Sequence, residues 1–147
     1  MVVNTRVLVA VSAAVFAGGF ALGGVVQPWS VVEAQSSKRV FELRTYTAPE
    51  GKLGELQARF RNHTVRLFEK HGMTNVGYFV PQDAPISQNT LIYVLAHKDR
   101  ETAKQSWAAF GKDPEWVKAR TESQVNGSLT SQVVSVFMDP TDYSQMK

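Results

Sequence analysis

The segment FRNHTVRLFEKHGMTNVGYF, Phe60 to Phe79, constrains the fold more than any other part of the chain. Leu53, Leu56, Phe60, Leu67 and Phe68 recur at helical spacing with charges between them, and Gly72 is the residue type that ends helices in a left-handed conformation. Directly beyond it, Met73 to Pro81 is rich in aromatic and β-branched residues, so the helix passes straight into a strand. A chain built around such a junction reads as a small α+β domain.

The flanking segments extend the pattern. Arg39 to Thr47 alternates Val40, Glu42, Arg44 and Tyr46 against Phe41, Leu43 and Thr45, the period of a strand with two distinct faces. Thr90 to His97 forms a hairpin with Met73 to Pro81 across the polar stretch Gln82 to Asn89. Asp99 offers an N-cap to a helix carrying Ala103, Trp107 and Phe110, closed at Gly111. Asp113-Pro114 starts a second short helix reaching about Val125, with proline where no amide donor is lost, and Ser131 to Met138 is a last strand. The order β-α-β-β-α-α-β is the ferredoxin-like arrangement with its second helix broken, an antiparallel sheet with helices on one face. Both faces of the predicted strands are apolar: Val76, Tyr78 and Val80 stand against Gly77 and Phe79, and Leu91, Tyr93 and Leu95 against Ile92 and Val94. The second face is therefore expected to be covered as well, most simply by a twin subunit in a closed two-chain barrel.

The first 34 residues stand apart. One positive charge in Met1 to Arg6 precedes an uncharged run, Val7 to Val26, and the segment ends Val32-Glu33-Ala34, the small-residue pattern of a leader cut after Ala34. Export to a periplasmic or extracellular location follows, with residues 35–147 as one domain. The rival is an uncleaved anchor, since an apolar run of about 20 residues spans a bilayer core, and only then does a membrane become a partner. Four glycines (Gly18, Gly19, Gly23, Gly24) weaken a spanning helix and favour the leader. With no cysteine, the domain has neither disulfides nor thiolate chemistry. Its net charge of +3 is dispersed; only Arg59, Arg61, Arg66 and Lys70 group together, and they read as a solvated helix face rather than a nucleic-acid site.

Few residues carry a chemical signal. His63 and His71 are eight apart on the first helix, roughly 12 Å along its axis, too far to share a metal. His97 completes the histidine set without any zinc-type spacing, so no metal is expected. His71 reads either as a cap on the last helical turn or as a general acid/base at the mouth of a cavity, and His63 faces the same choice. Glu42, Arg44 and Tyr46 share a strand face, which projects across a dimer interface, the more ordinary outcome, or into a pocket. In a pocket, Arg44 would hold a carboxylate or enolate, while Tyr46 or Tyr78, and less directly Tyr93 and Asn75, would donate to developing negative charge. Trp107, Phe110 and Trp116 read as core or as an apolar ligand wall.

FELRTYTAPEGKLGEL (Phe41 to Leu56), RFRNHTVRLFEKHGMTNVGYF (Arg59 to Phe79), NTLIYVLAH (Asn89 to His97) and SWAAFGKDPEW (Ser106 to Trp116), matched in order, resemble the NIPSNAP family of the dimeric α/β-barrel superfamily. The resemblance covers the domain and implies the fold derived above, homodimerisation through sheet faces, and a cavity between sheet and helices. It implies no single reaction, because the superfamily spans haem-dependent peroxidases, cofactor-free monooxygenases and small-lactone isomerases. The leading expectation is a homodimer that binds a small apolar or aromatic ligand with cofactor-free oxygenase or isomerase activity. The alternative is a secreted binding module without chemistry. Haem held by His63, His71 or His97 is a third reading with no distinctive motif behind it.

Overall fold

In a computed structural model that describes residues 39–147, the strand β1 (Val40–Thr47) occupies the middle of a four-stranded antiparallel sheet. The expected leader at 1–34 lies outside the described residues. After β1 come α1 (Leu53–Arg59), a π-helical turn (Phe60–Thr64), α2 (Val65–Lys70), β2 (Thr74–Phe79), β3 (Thr90–His97), α3 (Arg100–Lys112), α4 (Pro114–Ser123) and β4 (Gln132–Met138). Strand order is β2-β3-β1-β4, so each strand–helix–strand crossover skips over one neighbour, the ferredoxin-like topology expected from the element order.

Local chemistry places the helix ends. Gly72 takes φ +75° beyond the last turn of α2, a conformation that costs a side chain energy and glycine nothing. The Asp99 carboxylate accepts from the Thr102 amide at 2.6 Å and caps α3. Gly111 does not close α3, which continues to Lys112; the break comes at Asp113, whose extended backbone (ψ 122°) is what a residue preceding proline prefers. Asp113 then caps α4 by accepting from the Glu115 amide at 2.8 Å.

Cross-strand register separates the two sheet faces. Glu42 lies opposite Leu95 and Phe137, Arg44 opposite Tyr93 and Ser135, and Tyr46 opposite Leu91 and Val133, and directly opposed residues share a face. This face is the one the helices cover: Leu56, Phe60, Leu67, Phe68 and Phe110 pack on Tyr93, Leu91 and Leu95 to form the core. Seven aromatic contacts with centroids 5.2–6.2 Å apart involve Tyr93 or Phe60 (Tyr46–Phe60, Tyr46–Tyr93, Phe60–Phe68, Phe60–Tyr78, Phe60–Tyr93, Phe68–Tyr93, Tyr78–Tyr93). The other face carries Leu43, Ile92, Val94, Phe79, Val134 and Val136 and is left open by the helices. A bulge between Asn75 and Gly77 resets β2, so Val76 does not continue the alternation with Tyr78 that the sequence suggests.

Candidate functional site

The helix-covered face holds an aromatic cavity and a polar cleft; of the sequence-predicted residues, Tyr46 lines the first and Arg44 and Trp107 the second. The first is a cavity of about 490 Å³ between the sheet and α1, α2 and α4. Tyr46, Phe60, Phe68, Phe110 and Trp116 form its aromatic walls, and Arg59, Thr64 and Arg120 add polar groups. Position on the helix explains how a charge reaches this wall. Arg59 follows Leu56 by three, on the buried stripe, and the π turn that begins at Phe60 keeps Phe60 and Thr64 inward as well. The Thr64 hydroxyl donates to the Arg59 carbonyl five residues back at 3.3 Å, in keeping with the wider turn.

Arg59 is only 5% exposed, and its Nε and Nη1 have no hydrogen-bond partner among the described residues. Its guanidinium lies 5.3 Å from the Trp116 ring centre. Burial pushes the Arg59 pKa below its ordinary value, and the like charge of Arg120 adds to that push. Of the grouped charges Arg59, Arg61, Arg66 and Lys70, expected on a solvated face, the last three are exposed, whereas Arg59 is in the core wall. Its place three residues after Leu56 was the available signal.

The second recess, a cleft of about 510 Å³ at the β1–β4–α3 corner, contains the hub of the polar network. Glu42 Oε1 accepts from Arg44 Nη1 at 2.9 Å and from the Ser135 hydroxyl at 2.6 Å; Oε2 accepts from Trp107 Nε1 at 2.7 Å and from His97 Nε2 at 3.0 Å. Because an ionised carboxylate only accepts, the His97 proton is assigned to Nε2. Burial by itself would raise the Glu42 pKa, but the His97, Ser135 and Trp107 bonds and the Arg44 charge outweigh it and hold the group at about 2. Burial also opposes the Arg44 charge, and the pull of Tyr46, Tyr93 and Glu42 overcomes it, so its pKa is raised. Arg44 further stacks 4.1 Å above the Trp107 ring. A carboxylate this acidic, with both oxygens doubly occupied, is a weak base, and the network is a structural one.

The Glu42, Arg44 and Tyr46 set therefore faces the helices and not a partner's sheet, against the more ordinary outcome expected from the sequence. Tyr46 enters the aromatic cavity, while Arg44 and Trp107 line the cleft and are occupied with Glu42. Tyr93 is fully buried beneath the cavity wall; its hydroxyl has no partner among the described residues, and burial pushes its pKa well above the ordinary value. Tyr78 stacks on Tyr93 at 5.5 Å and donates to Asn75, and burial raises its pKa too.

His71 is in neither recess. Its Nε2 is 2.7 Å from Asp113 Oδ2, joining the end of α2 to the start of α4, so it is neither at a cavity mouth nor capping carbonyls through its ring. His63 lies outside the cavity, in a shallower groove between α1 and α4 with Glu55 and Glu122. His71 and His97 both commit Nε2 to a carboxylate, which leaves neither of those nitrogens directed at a ligand iron. Among the described residues there is no cluster of three or more metal-ligating side chains.

The NIPSNAP family model matches residues 41–145. The chain belongs to the NIPSNAP family. This NIPSNAP domain is similar to a NIPSNAP family protein of unknown function from Agrobacterium tumefaciens, at TM-score 0.67 and 20% identity, over 76% of this chain and 96% of that one. It also shares its fold with a monooxygenase from Streptomyces coelicolor in complex with the ligand nanaomycin D, at TM-score 0.52 and 13% identity, covering 71% and 89% of the two chains. SnoaB, a cofactor-independent oxygenase from Streptomyces nogalater, aligns at TM-score 0.50 and 11% identity over 75% and 99%. At these identities the likeness is one of fold. No curated protein matches the chain.

Proposed function

We propose that this NIPSNAP protein is exported with residues 1–34 removed, pairs with a second copy through its open sheet face, and binds a small apolar or aromatic molecule between sheet and helices, acting on it as a cofactor-free oxygenase or isomerase. The observation that carries the reading is the aromatic cavity of about 490 Å³, within the size range of small-molecule sites and supplied with a few convergent polar groups. Two fold neighbours support the chemistry, one of them a cofactor-independent oxygenase and the other a monooxygenase in complex with an organic ligand. Pairing is supported by Phe79, Val134 and Val136, exposed by 57%, 44% and 47% on one face.

One observation favours a second reading, a binding module without chemistry: the cavity lining contains no histidine, aspartate or glutamate to serve as a base. Native mass spectrometry of the protein recovered from its own export route tests binding and pairing together. The expected spectrum is a dimer with a reproducible small-molecule increment, and a bare monomer would overturn the proposal. Oxygen consumption on adding the released molecule back then separates oxygenase from module.

A further inference from the structure

Among the described residues, neither Arg59 nor Arg120 forms an ion pair with a carboxylate. The nearest acids by location, Glu55 and Glu122, line the groove on the other side of Arg59 and do not reach it within 4.0 Å. An arginine that is 95% out of water, with Nε and Nη1 unpaired among the described residues, is costly to maintain, and the Trp116 face is partial compensation. Core residues that lower stability without serving packing are characteristic of ligand sites. The cavity that this cation borders has cationic but no anionic lining groups.

We propose that Arg59, assisted by Arg120, is the anion-binding end of the aromatic cavity, so the ligand is an apolar or aromatic molecule carrying one ionised oxygen group, a carboxylate, a phenolate or an enolate. The aromatic walls take the body of such a molecule, and the guanidinium fork takes its charged end. The same pair would lower the pKa of a bound phenol or enol, which gives the cavity a way to ionise a substrate without a basic side chain. This inference rests on the pocket reading above and names the class of molecule the pocket selects.

Two naphthylamine probes of similar body separate the possibilities: the anion 1-anilinonaphthalene-8-sulfonate and the neutral N-phenyl-1-naphthylamine, titrated into the full-length gene product recovered from export and followed by fluorescence. The expected result is that the anion binds at least about tenfold more tightly, that Arg59→Met abolishes this preference while neutral-probe binding remains, and that Arg59→Lys retains part of it. Arg120→Gln, at an exposed position, should reduce the preference about threefold with an unchanged melting temperature, which keeps the test valid if Arg59→Met fails to fold. Equal binding of both probes, or a preference indifferent to Arg59 and Arg120, overturns the anion site and leaves the pocket standing. Binding of neither probe overturns the pocket, and the anion site with it.

Discussion

Trp107 Nε1 donates to Glu42 Oε2 at 2.7 Å, tying the middle of α3 to the central strand through a carboxylate that is 1% exposed. With Arg44, His97 and Ser135 on the same carboxylate, Glu42→Gln leaves several buried donors facing an amide, and stability measured by urea denaturation at pH 7 should drop by roughly 2–4 kcal/mol.

The same carboxylate gives a pH signature. Its folded pKa of about 2 lies below the ordinary value of 4.5. Its contribution is therefore complete above pH 4.5 and is lost as pH falls toward 2, with a total of about 3 kcal/mol. Urea midpoints between pH 5 and 2 should fall less steeply for Glu42→Gln than for the native protein; parallel curves would contradict the assignment.

His71 and Lys70 both reach Asp113 Oδ2, each at 2.7 Å, and hold its pKa below the ordinary carboxylate range. His71→Ala should cost about 1 kcal/mol and leave probe binding in the cavity unchanged. Asp113→Ala should lower the melting temperature further, because it also removes the α4 cap. A loss of binding in His71→Ala without a loss of stability would restore the acid/base role.

The buried Tyr93 hydroxyl has no hydrogen-bond partner among the described residues, so Tyr93→Phe removes a desolvation penalty and keeps the ring contacts. Thermal unfolding should show a gain of up to about 1 kcal/mol. A loss of more than that amount would mean that the hydroxyl is paired.

Val134 and Val136 point from β4 into the open face. Val136→Lys would place a charge in the proposed dimer contact, and sedimentation equilibrium should show association weakened toward monomer, with Kd raised at least about tenfold and the domain still folded. An unchanged association state would remove the open face from the interface.

The fold was legible because its signals are local and periodic: alternation in β1, the Gly72 stop, the Asp99 cap and the Asp113-Pro114 break all act within a few residues. The site was less so. That Glu42, Arg44 and Tyr46 share a face follows from period 2, but which side the helices cover is a property of the assembled sheet. The partnership of Glu42 with His97 and Ser135 spans 55 and 93 positions, beyond any sequence window. Arg59 was misassigned because a cluster of charges outweighed its phase on the apolar stripe, and His71 because the carboxylate that claims it lies 42 residues downstream.

The π turn at Phe60–Thr64 has a bearing on how such a domain diversifies. A turn of this width absorbs one additional residue while the helix on either side keeps its phase, so Leu53 and Leu56 before it and Leu67 and Phe68 after it stay in the core. The shape and charge of the cavity wall can then be edited by gaining or losing a single codon, independently of the residues that make the chain fold. Cavity wall and architecture can, in this helix, vary separately.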